Sequence, residues 1–140
     1  MKDVEEFVKQ CVTIDYKEEH KIFGYFPFNM FVEKNDGSVD FVCIATTDGG
    51  VLNVYKIMFK YISSGVEKLY LAIDFPAGMD MKNDFVCVIQ YDRTLESSKK
   101  FDLFAIPYND KTGEVYERIT SSPHLNMILM NIVIFAKQYK

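Results

Sequence analysis

The sequence is poor in cysteine, and its few cysteines form no recognisable pair. Cys11, Cys43 and Cys87 are widely separated, and no two have the CxxC spacing. An odd number of cysteines at such spacing fits neither a disulfide framework nor a zinc site. We therefore predict buried free thiols in a reducing compartment.

The sequence also lacks a long apolar run. The longest one, residues 127–136, is interrupted by Asn131 and is shorter than the roughly 20 residues that a membrane helix needs. Met1-Lys2-Asp3 leads into an acidic helix start rather than an apolar leader. These features predict a soluble, cytoplasmic protein that does not enter a membrane.

Neither a strong positive charge nor a nucleotide-binding signature is present. The formal net charge is −4, which argues against non-specific affinity for nucleic acid or for an anionic membrane surface. No GxSxG, HExxH, P-loop or GxGxxG motif occurs in the chain. We therefore predict no cofactor, no nucleic-acid partner and no enzyme class from motifs.

Apolar and aromatic residues, in contrast, are abundant. They make up 49% and 15% of the 140 residues, which is enough for a compact core and too much for a disordered chain. No internal repeat or linker divides the chain, so residues 1–140 are predicted to form one domain.

The two most regular apolar stretches predict a central strand pair. Residues 68–75 alternate between apolar and polar positions, as in a strand with one buried face. Residues 85–91 are apolar on both faces, which is typical of a strand in the middle of a covered sheet.

Turn signals and aromatic runs predict further strands on either side. The turn Asn35-Asp36-Gly37 should join a strand within 22–33 to a return strand over 39–46. Pro27 cannot donate a ladder hydrogen bond, so the first of these strands is predicted to be broken or to lie at an edge. Downstream, residues 101–108 and 114–120 are predicted strands around a turn.

Three segments predict helices. Apolar residues recur at helical spacing over 4–13, and Ser122-Pro123 is a typical helix start for a broad apolar stripe containing Leu125, Ile128 and Ile132. Val133 and Ala136 are expected to widen this stripe. Residues 51–62 are ambiguous between helix and strand. We favour the helix, since Lys56 and Lys60 then share a solvent face, with Tyr55 and Met58 opposite them.

The predicted order of elements is α-ββ-α-ββββ-α. It describes a mainly antiparallel sheet with N-terminal, middle and C-terminal helices, which is an α+β fold. This order is similar to that of roadblock-, longin- and profilin-like domains and of small secretion chaperones. The resemblance concerns element order alone and implies dimerisation or partner docking.

The charged loop between the central strands is the first candidate for a chemical site. Asp74, Asp80 and Asp84 could bind Mg²⁺ or Mn²⁺, with Lys82 stabilising a phosphate. Their order is similar to the acid-then-DxK signature of restriction-like nucleases, in which the DxK lies within a strand. A metal-dependent phosphoesterase or nuclease is therefore the alternative function. The simpler interpretation is a solubilising loop in which Asp84 serves as a turn residue.

A second conceivable site pairs Cys43 or Cys87 with His124 as nucleophile and base. Both cysteines lie between bulky apolar neighbours, and His124 lies in the first turn of the last helix. This placement favours two core thiols and a surface imidazole.

The surplus of apolar residues favours an interaction module over an enzyme. Met127, Met130 and Ile134 fall outside the main stripe of the last helix. We therefore predict a non-catalytic binding module that forms a homodimer or binds a protein partner. A small-ligand site lined by Tyr and Phe is a third possibility.

Overall fold

A computed structural model describes residues 5, 6, 8–10, 28–44, 50–96 and 100–138. Within these ranges the sheet strands are β1 (Phe28–Glu33), β2 (Val39–Ile44), β3 (Lys68–Phe75), β4 (Asp84–Asp92) and β5 (Phe101–Tyr108). The two long helices are α1 (Gly50–Ser63) and α2 (Pro123–Gln138). Residues 5, 6 and 8–10 are also helical, as predicted, and are named here the N-terminal helical segment. The antiparallel sheet with its helices confirms the α+β prediction.

The strands lie in the order β2-β1-β3-β4-β5, and every neighbouring pair is antiparallel. The helix α1 connects the edge strand β2 to β3, which pairs with β1. Both β3 and β4 thus have a strand on each side, and the five consecutive residues 85–89 of β4 are all buried. The predicted central position of this strand pair is confirmed.

Both faces of the sheet are covered within the described residues. On one face, Leu71 and Ile89 belong to the core that α1 and α2 complete. On the other face, Phe31 and Val88 pack in a second core with Val8 of the N-terminal helical segment, which is fully buried. Complete burial of a valine side chain contributes about 1.5–3 kcal/mol, so this short segment is a substantial part of the second core.

The β1–β2 turn forms as its residues predict. Gly37 adopts a φ of 86°, and Asp36 Oδ1 accepts hydrogen bonds from the Ser38 N–H at 2.8 Å and from its hydroxyl at 2.5 Å. The described part of β1 begins at Phe28, and the predicted break at Pro27 lies outside the described residues. The edge alternative is wrong, because β1 pairs with both β2 and β3. Residues 22–27, 45 and 46 lie outside the described ranges.

The ambiguous segment 51–62 is helical, as favoured. Its buried face consists of Val54, Tyr55, Met58 and Phe59, while Lys56 and Lys60 are exposed. Ile62 is half-buried at the edge of this face. Gly65 ends the helix with a φ of 96° and an N–H that donates to the Ile62 carbonyl at 3.1 Å.

The predicted strand over 114–120 forms only two isolated bridges to β5. Val115 is bridged to Tyr108 and Ile119 to Ala105, so the five residues 115–119 oppose the four residues 105–108. The register thus slips by one residue, as at a β-bulge. Pro107 lies within the slipped stretch and has no N–H to donate. These two features account for the missing ladder.

The start of α2 is capped as the sequence predicts. Ser122 Oγ accepts a hydrogen bond from the Leu125 N–H at 3.1 Å, and Pro123 occupies the first helical position. Leu125, Ile128 and Ile132 are buried against the sheet. Val133, which was expected to widen this buried stripe, is instead exposed.

Ser122→Ala should lower the free energy of unfolding by about 1 kcal/mol, because the Leu125 N–H loses its capping acceptor. The adjacent Ser121 is exposed, so Ser121→Ala should change this free energy by less than about 0.5 kcal/mol. Urea unfolding of the two variants and the wild type measures both values. Equal losses would show that Ser122 is not the cap.

Candidate functional site

The loop between β3 and β4 closes into a tight two-residue turn. Gly78 and Met81 exchange backbone hydrogen bonds of 3.0 and 2.9 Å and enclose Met79 and Asp80. Met79 has a φ of 52°, in the left-handed region that disfavours a side chain, and is 64% exposed. The most strained residue of this loop is therefore also its most prominent apolar one.

Two side chains attach this turn to the start of α2. Asp80 Oδ1 accepts a hydrogen bond from the His124 N–H at 3.1 Å, which places a carboxylate at the positive end of the helix dipole. Met81 is buried, and its sulfur lies 3.8 Å from the Ser122 hydroxyl. Asp80 thus has a structural role at the helix start.

Asp74 and Asp84 lie elsewhere, around the side chain of Tyr108. The Tyr108 hydroxyl donates to Asp74 Oδ1 at 2.7 Å, and the Ala77 N–H donates to Asp84 Oδ1 at 2.8 Å. Tyr108 faces Asp84 directly across the β4–β5 pair. Burial, followed by the hydrogen bond to Asp74 and the neighbouring carboxylates, raises the pKa of Tyr108 well above its ordinary value.

The structure thus brings together two of the four predicted site residues. Asp74 and Asp84 meet at Tyr108, Asp80 caps α2, and Lys82 is exposed. In the described part of the chain, no group of three or more His, Cys, Asp or Glu side chains is placed to hold a metal ion. The metal-dependent function gains no geometric support and stays a prediction from the sequence.

No pattern in the sequence indicated that Tyr108 is a partner of Asp74. These residues are 34 positions apart, and their contact depends on the register of three strands. The polar connection over residues 93–100 was the available signal, because a β4–β5 hairpin that opposes residues 84 and 108 also brings Tyr108 towards the end of β3.

Cys87 and His124, which the sequence suggested as nucleophile and base, lie in different surroundings. Cys87 is fully buried, and burial raises the pKa of its thiol to about 12, so the thiol stays protonated at neutral pH. The side chain of Cys43 lies outside the described part. His124 is half-buried rather than a surface imidazole, with its ring 5.3 Å from that of Phe85. Its buried Nδ1 has no hydrogen-bond partner among the described residues.

The side of α2 that points away from the sheet is apolar. Met127, Met130, Val133 and Ile134 are all exposed, and Met130 is 62% exposed at the centre of the helix. We name these four residues the outer face of α2. Lys137 is the one charged residue that follows on the same side, and α2 contains no acidic residue.

Comparison of the chain with protein-family models, curated proteins and solved structures found no match. No helix in the described ranges is both long enough and apolar enough to cross a membrane. The function is therefore inferred from the geometry of the chain itself.

Met79→Gly should raise the free energy of unfolding by about 0.5–1 kcal/mol, because glycine adopts the left-handed conformation without a steric penalty. Ala77→Gly, in the same loop at an exposed position without a positive φ, should instead lower it by up to about 1 kcal/mol through the lost chain entropy. Urea unfolding of the two variants and the wild type measures whether each substitution raises or lowers the free energy of unfolding. Destabilisation by Met79→Gly would contradict the strained turn.

The raised pKa of Tyr108 predicts a loss of stability in alkali. The protonated Tyr108 side chain makes its full contribution to the free energy of unfolding below the ordinary tyrosine pKa of 10.0. This contribution is lost as the pH rises above 10.0, because Tyr108 ionises at a lower pH in the unfolded chain than in the folded one. Tyr108→Phe should therefore flatten the fall in unfolding free energy above about pH 10. Denaturant unfolding at several pH values tests this, and parallel curves for the variant and the wild type would refute it.

Proposed function

We propose that this protein is a non-catalytic binding module that self-associates through the outer face of α2. The observation that carries the proposal is the exposure of Met127, Met130, Val133 and Ile134 on one side of one helix. Contiguous exposed apolar residues mark interaction sites in soluble proteins, since leaving them in water forgoes the free energy of their burial.

The spacing on the outer face suits a second copy of the same helix. Met130 lies near the middle of α2, so an antiparallel pair about a twofold axis beside Met130 would bring Met127 of one copy to Ile134 of the other. A twofold pair of this kind is self-complementary, and no second surface is needed to close it.

The charges at the two ends of α2 also favour the antiparallel pair. Lys137 lies seven residues after Met130 and His124 lies six before it, which is roughly 10 Å along the helix in each direction. In the pair, Lys137 of one copy would therefore approach the start of the other α2. The exposed Asp80 carboxylate lies there, bonded to the His124 N–H.

The chemical groups of the described residues support a binding role over catalysis. The carboxylates of Asp74, Asp80 and Asp84 accept hydrogen bonds that hold the loop and the strands together. The Cys87 thiol is buried and protonated.

Met130→Glu should convert the dimer to a monomer, because two carboxylates would meet at the twofold axis in an apolar contact. Leu52→Glu is the matched control, since Leu52 is an exposed apolar residue of α1. Sedimentation velocity at micromolar concentration should give twice the 16.3 kDa chain mass for the wild type and for Leu52→Glu. A monomeric wild type, or equal dissociation of both variants, would refute the interface.

A charge reversal tests the antiparallel direction. Lys137→Glu should weaken the dimer, and adding Asp80→Lys should restore part of the affinity, because the opposite charges are exchanged. No restoration in the double variant, with wild-type circular dichroism, would argue against this direction of pairing.

A further inference from the structure

The methionines of the described ranges divide into a buried set and an exposed set. The chain has seven methionines, and all except Met1 lie within these ranges. Three of them are buried in the larger core, namely Met30, Met58 and Met81. The other three are largely exposed, namely Met79, Met127 and Met130. A reagent dissolved in water therefore reaches the second set far more readily than the first.

Two of the three exposed methionines belong to the outer face of α2. Met127 and Met130 are three residues apart in one helix, so they lie on the same side of it. The other members of the outer face, Val133 and Ile134, carry hydrocarbon side chains that a mild oxidant leaves unchanged. Within the outer face, the two thioethers are thus the groups that oxidation can alter.

Hydrogen peroxide converts a thioether to a sulfoxide. The sulfur takes one peroxide oxygen, the O–O bond breaks, and water is the second product, so the sulfur is oxidised by two electrons and the peroxide is reduced by two. The S=O group is strongly polar and accepts hydrogen bonds, whereas the thioether is apolar and only a weak acceptor. Oxidation therefore adds a polar acceptor to an apolar side chain and leaves its charge at zero.

The proposed antiparallel pair offers these acceptors no donor. In that pair Met127 meets Ile134 of the other copy, and Met130 lies beside the twofold axis. None of these side chains has a group that donates a hydrogen bond. A sulfoxide buried there loses its hydrating water without gaining a partner, which favours the separated chains.

We propose that oxidation of Met127 and Met130 to their sulfoxides prevents self-association through the outer face of α2, and that reduction restores it. This inference rests on the proposed function. Because Met130 is covered in the pair, peroxide reacts with the separated chains, and the sulfoxides then prevent these chains from pairing again. The reductant is a dithiol acting through methionine sulfoxide reductases, which release the oxygen as water while the dithiol becomes a disulfide.

Two other oxidisable side chains provide internal controls. Met79 is 64% exposed, about as much as Met130, but it lies in the β3–β4 turn and not on the outer face. Its oxidation should therefore leave the pair intact. The Cys87 thiol is fully buried, and burial raises its pKa to about 12, so it stays in the protonated form that is the poor nucleophile towards peroxide.

The test is sedimentation velocity of the full chain at several concentrations, before and after hydrogen peroxide, with peptide mass mapping to locate each sulfoxide. Oxidation of Met127 and Met130 should raise the dissociation constant of the pair by about tenfold. Treatment with the reductases for both sulfoxide epimers should return it to the starting value.

Leucine variants assign the effect to individual residues. The double variant Met127→Leu/Met130→Leu keeps the apolar volume, so it should pair like the wild type and be unaffected by peroxide. Met79→Leu is the matched control. It should pair like the wild type and still dissociate after oxidation.

Unchanged pairing of chains that carry both sulfoxides would overturn the proposal and leave the outer face standing as the interface. Dissociation of the double leucine variant by peroxide, or no recovery with the reductases, would also overturn it, because the effect would then lie at other groups. A wild type that is monomeric before peroxide at every concentration would instead refute the proposed function and this inference with it. The run without peroxide thus separates the two failures.

Discussion

The burial of β3 and β4 on both faces is the constraint on which the rest of the structure depends. Consecutive residues of β4 point to opposite sides, and all of residues 85–89 are buried, so each side needs its own cover. The helices α1 and α2 supply it on one side and Val8 supplies it on the other. A sheet with a solvated face would require polar residues at every second position of β4, and they occur only towards its ends.

The helix α2 both covers the central strands and carries the face that we propose for binding. Its inner side completes the larger core through Leu125, Ile128 and Ile132. Its start is fixed by two independent acceptors, Ser122 Oγ and Asp80 Oδ1, so the helix cannot rotate to bury its outer face without losing both bonds. Among the described residues nothing covers the apolar outer face, which is why we propose that a second copy buries it.

Signals between residues close together in the sequence predicted most helices and strands. The features that were not predicted depend on pairings between residues that are far apart in the sequence. The turn at Asp36-Gly37, the cap at Ser122 and the helical spacing of Lys56 and Lys60 involve residues within a few positions of one another. The bulged pairing of 114–120 depends on a one-residue slip beside β5. Likewise, the separation of Asp80 from Asp74 and Asp84 depends on which element each end of the loop contacts, and a linear charge cluster does not contain that information.

The two ends of the central strands differ in how their polar groups are used. At the end formed by the β3–β4 loop, the carboxylates of Asp74 and Asp84 accept hydrogen bonds from the protein, which fixes the loop. At the opposite end, Asp92 Oδ1 accepts hydrogen bonds from the N–H and the hydroxyl of Thr94, only two residues along the chain. The contact between Asp74 and Tyr108 depends on the register of three strands, whereas the contact between Asp92 and Thr94 forms within one turn. The acidic loop therefore depends on the completed sheet for its conformation, and the turn after β4 does not.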